Sequence, residues 1–422
     1  MSSTGLIVQT REFDPVEDLL AYADPDRPLA WLRRGDGIVA VGTEAPASLR
    51  VPSGQQRLRA AILADAWRDL AANAEIDDPV GLPGTGLIGF GALAFDEGSS
   101  ADSALIVPSI VLGKHQGRGW ITRIARADED LPQDLPDATL TTREYGPHWA
   151  GTVGPGAQTP EGYQASVREA LERIGRGEAS KIVLARDLAG TIPAGSDLRR
   201  LVRELSTGYP DTWTFAVDGL IGASPETLVT VQDRTVTARV LAGTIGRGAD
   251  PDQDAAASAH LATSTKDIDE HQYAVRSLLQ SLTPHVRAMA SSDQPFLLKL
   301  PNLFHLATDV EAELADGGSA LDLVGALHPT AAVGGTPTDA AVAAIRELEP
   351  FDRGRYAGPV GWIDADGNGE WAIALRCAQF TAADDAIGVT AYAGAGIVAA
   401  SDPETELLET RVKFRPLIDA LA

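Results

Sequence analysis

The sequence predicts an α/β protein of the α+β kind, with antiparallel sheets and helices outside them. Two observations carry this. Segments with the period of a strand come in runs, and helical segments fall between the runs rather than after each strand. The chain has 422 residues and is 44% hydrophobic, enough for two or three average domains or one large intertwined domain with a sizeable core.

Residues 1 to about 150 read as a mixed region, with a strand at 37–42 and helical spacing over 55–74 through Leu58, Ala61, Ile62 and Leu70. Gly84, Gly86 and Gly89 satisfy G-x-G-x-x-G, but no strand precedes them and a strand-like segment follows. A dinucleotide fingerprint needs the reverse context, so this reads as a glycine-rich strand packed closely on a neighbour. Residues 131–162 are rich in Pro, Gly, Asp and Thr and read as a linker. Thr159 and Pro160 then start a helix that ends near Gly175 or Gly177.

Strands follow at 181–188 and 213–217, the latter running into Ile221-Gly-Ala-Ser-Pro-Glu226, and again at 226–231 and 235–240 around a turn at 232–234. Residues 263–282 are helical, 295–308 strand and short loop, 327–337 loop, and 339–348 helix. Strands at 357–365, 370–380 and 387–394 lead to a closing helix, with Ser401 as its expected N-cap and Glu404 completing a capping box. Asp364, Asp366, Asn368 and Gly369 open like a calcium loop, but Leu375 stands where a bidentate glutamate is required. Alternating flanks make a β-hairpin the better reading.

The net charge of −24 argues against nucleic acid or an anionic membrane as partner. Cys377 is the only cysteine, so no internal disulfide can form and a reducing compartment fits. The N-terminus lacks a basic region followed by an apolar run, and no stretch has the ~18 uncharged apolar residues of a membrane helix, so a cytoplasmic location is expected. Only five basic residues are lysine: Lys114, Lys181, Lys266, Lys299 and Lys413. Each is of interest because lysine, unlike arginine, can lose its proton at a catalytic site.

Two helices carry acid pairs at i,i+3. Glu406 and Glu409 share a face with Lys413 on the closing helix. Asp267 and Glu270 do the same after the capping residue Ser264. Either pair alone reads as a solvated helix face. Together they suggest one site with four oxygen donors, suited to a hard cation such as Mg²⁺. There is no HExxH motif or clustered Cys/His for zinc, and His271 fits a packed side chain as well as a ligand.

Ordered motifs extend this reading: Lys181-Ile-Val-Leu-Ala-Arg186, Ala223-Ser-Pro-Glu226, Leu241-Ala-Gly-Thr244, Lys266-Asp-Ile-Asp-Glu-His271 and His328-Pro-Thr-Ala-Ala-Val-Gly-Gly-Thr-Pro337. Tyr356-Ala-Gly-Pro-Val-Gly361, Ile373-Ala-Leu-Arg376, Gly394-Ala-Gly396 and the 406–413 stretch follow. In this the chain resembles the chorismate-utilising enzymes, strongly over residues 155–422 and loosely over 1–150. The resemblance implies one large domain of two stacked antiparallel sheets with helices outside. Residues 1–150 would form its N-terminal part and 155–422 the chorismate-binding catalytic region.

It further implies Mg²⁺ held by Asp267, Glu270, Glu406 and Glu409, against the ring carboxylate of chorismate. Tyr356, Arg376, Lys413 and backbone N–H groups near Gly394 would receive the pyruvyl carboxylate. Gly243 and Thr244 would line the ring, and His328 would orient it. Relatives that use ammonia lack the lysine at 181 or carry lysine in place of Ala242. Here the pattern resembles the water users, the isochorismate synthases, with Lys181 as general base and Glu226 as general acid. A salicylate synthase, which also eliminates pyruvate, is the alternative. An anthranilate or aminodeoxychorismate synthase component and a non-catalytic relative fit less well. No glutaminase subunit is implied, and a monomer is expected. Whether the product would feed menaquinone or a siderophore stays open.

Overall fold

All five residues of Trp213–Val217, and all five of Leu220–Ser224, are buried, so neither strand alternates between core and solvent. Their sheet is covered on both faces. Phe215, Val217 and Leu220 enter one core cluster with Phe90, Trp362 and Trp371 of a second sheet. Ala216, Ile221 and Ala223 point the other way, to Leu201 and Leu205 of the helix Arg199–Gly208 and to Phe414 and Leu417 of the helix Pro403–Leu421. The computed structural model describes residues 5–55, 58–129, 141–299 and 303–422, except for the side chains of Thr244, Lys266 and Glu270.

The larger sheet runs from Thr152–Pro155 through Lys181–Pro193, Ala386–Ile397, Cys377–Ala382, Leu220–Ser224 and Trp213–Val217 to strands from the first 130 residues. The smaller runs from Val286–Ser291 through Leu303–Leu314, Thr235–Gly246, Thr227–Gln232, Gly369–Ile373 and Pro359–Asp364, and likewise ends in N-terminal strands. Both sheets are antiparallel apart from the pairing of Leu6–Phe13 with Glu75–Asp77. The predicted fold class is therefore the observed one. Among the described residues no helix is long and apolar enough to cross a membrane.

Several local expectations hold. Thr159 caps Pro160–Gly175, and Ser264 caps Thr265–Leu282 through the N–H of Asp267. Asp364 closes a hairpin by accepting from the N–H groups of Asp366 and Asn368, each at 2.9 Å. Gly89 and Gly91 lie under indoles: a Cβ there would stand 2.8 Å from Trp67 and 2.2 Å from Trp371.

Others are corrected. Asp402, not Ser401, caps the closing helix, accepting from the N–H groups of Glu404 and Thr405. Ser401 closes the preceding turn by accepting from Val398 N–H, which moves the helix start by one residue. Part of the expected linker, 131–140, lies outside the described residues. The rest is strapped down: Gly146 N–H and the Trp149 indole both bond Asp197, and Thr152–Pro155 pairs with Lys181–Pro193.

Candidate active site

Two strand pairs change sheets side by side, and the site forms where they bend. Leu220–Ser224 pairs with Cys377–Ala382 in the larger sheet, while Thr227–Gln232 pairs with Gly369–Ile373 in the smaller. Glu226 occupies one bend and Arg376 the other. Ser224 Oγ fixes the first by donating to Ile373 O at 2.6 Å and accepting from Glu226 N–H at 3.2 Å. Arg376 takes the left-handed conformation, φ 50°, and its carbonyl accepts from Ala223 N–H at 3.2 Å.

Glu226 shares a cavity of about 300 Å³ with Lys181, Leu241, Ala242 and His328. Burial pushes its carboxyl up to about 7, against the opposing pull of Lys181, Lys413 and Arg376. A carboxyl so placed is protonated for part of the time at neutral pH and can donate a proton. Lys181 opens the strand Lys181–Pro193 and reaches this cavity from the larger sheet. Arg353, buried, anchors that strand by donating to Val183 O at 2.8 Å. It also donates to Val333 O, in the loop carrying His328, at 2.9 Å.

The opposite wall comes from the smaller sheet. Ala242 faces Leu306 and Thr244 faces His305, which leaves Gly243 between them as a bulge with φ +79°. A Cβ on Gly243 would stand 3.3 Å from Asp267 Cβ, so the first acid-pair helix packs directly on the bulge. His271 is buried: Nδ1 lies 3.0 Å from Ala242 O and Nε2 2.7 Å from Thr308 Oγ1, so it braces the bulge by packing and hydrogen bonding. The motif reading passed over His305. Burial and the nearby Lys413 and Arg376 lower it to about 4, while a hydrogen bond with the Gly243 backbone works the other way. Only the register opposite Thr244 places it here, and no spacing in the sequence displays that register.

The closing helix supplies the remaining charge. Lys413 Nζ donates to Gly394 O at 2.8 Å and pairs with Glu409 at 2.6 Å. Burial lowers its pKa, with Glu409 opposing. Burial raises Glu406, with Ser401 opposing and Glu409 adding to the rise. Tyr356 is buried, stacks on Tyr392 at 5.1 Å and lies close enough to Arg376 to perturb it. It borders a separate cavity of about 820 Å³ with Arg353 and Arg355, rather than the one holding Lys181. His328 Nε2 bonds Phe95 O at 2.7 Å, which makes it the donor and leaves Nδ1 an acceptor, buried without a partner among the described residues.

Lys181, Glu226 and His328 thus line one cavity, with Arg376 and Lys413 within electrostatic reach of Glu226. The side chains of Thr244 and Glu270 lie outside the described residues. Asp267, Glu406 and Glu409 are hard oxygen donors, and Glu406 is buried beside a second carboxylate whose repulsion a cation would offset. Their chemistry fits Mg²⁺, although among the described residues no three His, Cys, Asp or Glu side chains gather as a metal-sized group.

Two facing sheets thus bring an acid and an arginine at their bends together with a lysine at a strand's start and another on the closing helix, an arrangement suited to an anionic small molecule. The profile of the chorismate binding enzyme family matches residues 3–422, and the chain belongs to that family. It is 41% identical over 274 residues to the isochorismate synthase DhbC of Bacillus subtilis (strain 168), covering 62% of this chain and 68% of that protein. It is 32% identical to the salicylate biosynthesis isochorismate synthase of Pseudomonas aeruginosa, covering 99% and 90%. Among solved structures, the menaquinone-specific isochorismate synthase MenF from Escherichia coli superposes with a TM-score of 0.78 at 25% identity, covering 99% of this chain and 95% of that one. Anthranilate synthase component I from Streptococcus pneumoniae, at TM-score 0.67 and 19% identity, shares the fold.

Proposed function

We propose that this protein is an isochorismate synthase, which adds water at ring C2 of chorismate as the C4 hydroxyl departs. The observation that carries the reading is the meeting of Lys181 and Glu226 in one cavity, with the carboxyl held near 7. Lys181 takes a proton from water as the water oxygen bonds to C2. The ring double bonds shift and the C4–O bond breaks. Glu226 gives its proton to the departing hydroxyl, which leaves as water. One water enters and one leaves, and solvent returns the proton from lysine to glutamate.

Arg376 and Lys413 would hold a substrate carboxylate, the guanidinium in a bidentate pair. Mg²⁺, held by Asp267, Glu270, Glu406 and Glu409, would neutralise the second carboxylate. The small Ala242 on the cavity wall accords with water rather than ammonia as nucleophile. Incubation with chorismate and Mg²⁺ followed by chromatography tests the proposal. Isochorismate as the sole product is expected. Salicylate with pyruvate would move the assignment to a salicylate synthase, and unchanged chorismate would defeat it.

A further inference from the structure

A Cβ built on Gly396 would stand 2.9 Å from Lys181 Cε and 3.6 Å from Lys181 Nζ, and among the described residues no other neighbour's heavy atom comes within 4 Å. Gly396 lies on Ala386–Ile397, opposite Val183 of the lysine's own strand. Its backbone is not in the left-handed region, so alanine there meets no conformational obstacle. The space that a glycine leaves open at this point is taken up by the end of one side chain. We infer that Gly396 is a positioning residue: the absence of its side chain seats the Lys181 amine against the sheet, at the height from which it meets the substrate.

The inference rests on the reading of Lys181 as the base, and it adds a consequence that reading lacks. The end of a lysine is flexible, so a methyl group at 396 displaces the amine and leaves the backbone in place. A displacement of about 1 Å in a catalytic group can cost on the order of 10²-fold in rate. Gly396→Ala should therefore lower kcat by roughly that factor while KM and melting temperature stay near wild type. Gly396→Ser, bulkier and polar, should lower it at least as far.

A double-mutant cycle with Lys181→Ala separates this from a merely structural role, since residues acting through one group are not additive. With the lysine truncated, Gly396→Ala should cause no further loss. Wild-type kcat in Gly396→Ala, alongside an inactive Lys181→Ala, would overturn the inference and leave the base reading intact. An equal loss in both backgrounds would also overturn it, because the glycine would then act elsewhere. Substantial activity in Lys181→Ala would remove the base reading and this inference with it. Should Gly396→Ala not fold, a folded Gly396→Ser with wild-type kcat would overturn the inference equally.

Discussion

Glu226 and Arg376 stand at adjacent bends where two paired strands leave one sheet for the other, close enough for the guanidinium to favour the ionised carboxylate. Burial outweighs that help and two lysines besides, and the acid ends near 7. Placing an acid on a sheet-to-sheet bend fixes its backbone through the ladders on either side. The carboxyl is then held in a partly enclosed cavity, with Lys181, Lys413 and Arg376 acting on it electrostatically.

The first prediction follows from that acid. Glu226 acts when protonated, so kcat should fall as pH rises through about 7. Glu226→Gln should lose roughly 10²–10⁴-fold and with it this limb of the profile. The stability effect runs the same way with pH. A pKa raised in the folded state contributes stability that is full below the unfolded value of 4.5 and lost as pH climbs through about 7. Glu226→Gln should therefore melt above wild type at alkaline pH and show no such gain below pH 4.5. Melting curves at the two extremes check this, and an unchanged difference would contradict it.

The second concerns the metal. With Asp267, Glu270, Glu406 and Glu409 as its donors, EDTA should abolish turnover while leaving the circular dichroism spectrum nearly unchanged. Glu406→Gln and Glu409→Gln should raise the Mg²⁺ concentration needed for half-maximal rate. Full activity after exhaustive dialysis against EDTA would remove the shared site.

The third concerns the nucleophile. In alkaline ammonium buffer with chorismate and Mg²⁺, the enzyme should form neither anthranilate nor aminodeoxychorismate, and it should need no glutaminase. Anthranilate is fluorescent, so its appearance at a rate comparable with isochorismate would be seen directly.

Much of this was legible in the sequence because local chemistry and fold agree. Thr159-Pro160 and Ser264 cap where they should, and the hairpin at Asp364 follows from its own turn. The helix Ala320–Leu327 was not read, although Ser319 and Asp322 form its capping box, because its eight residues are too uniformly apolar to show a period. The helix Pro251–Thr263, capped by Asp250, is rich in alanine and carries too weak an apolar face to stand out. Ser401 misled because Asp402, one residue on, offers an equally good capping oxygen. In the site, Lys181 and Glu226 were legible through ordered motifs. His305 and Gly396 were not: their parts depend on which strand lies opposite, Thr244 across 61 residues of chain (305 − 244) and Val183 across 213 (396 − 183).

The proposed chemistry needs Lys181 as a base rather than as an anchor for substrate charge. Arginine at 181 keeps the positive charge and much of the bulk but cannot accept a proton. The deciding measurement is the steady-state kcat of Lys181→Arg, with a melting curve and Mg²⁺ titration as controls. The base role predicts a loss of roughly 10²–10⁴-fold with stability and metal requirement little altered. A variant that keeps more than about a tenth of wild-type kcat and changes chiefly in KM would contradict it, since that loss lies below the range of general-base catalysis.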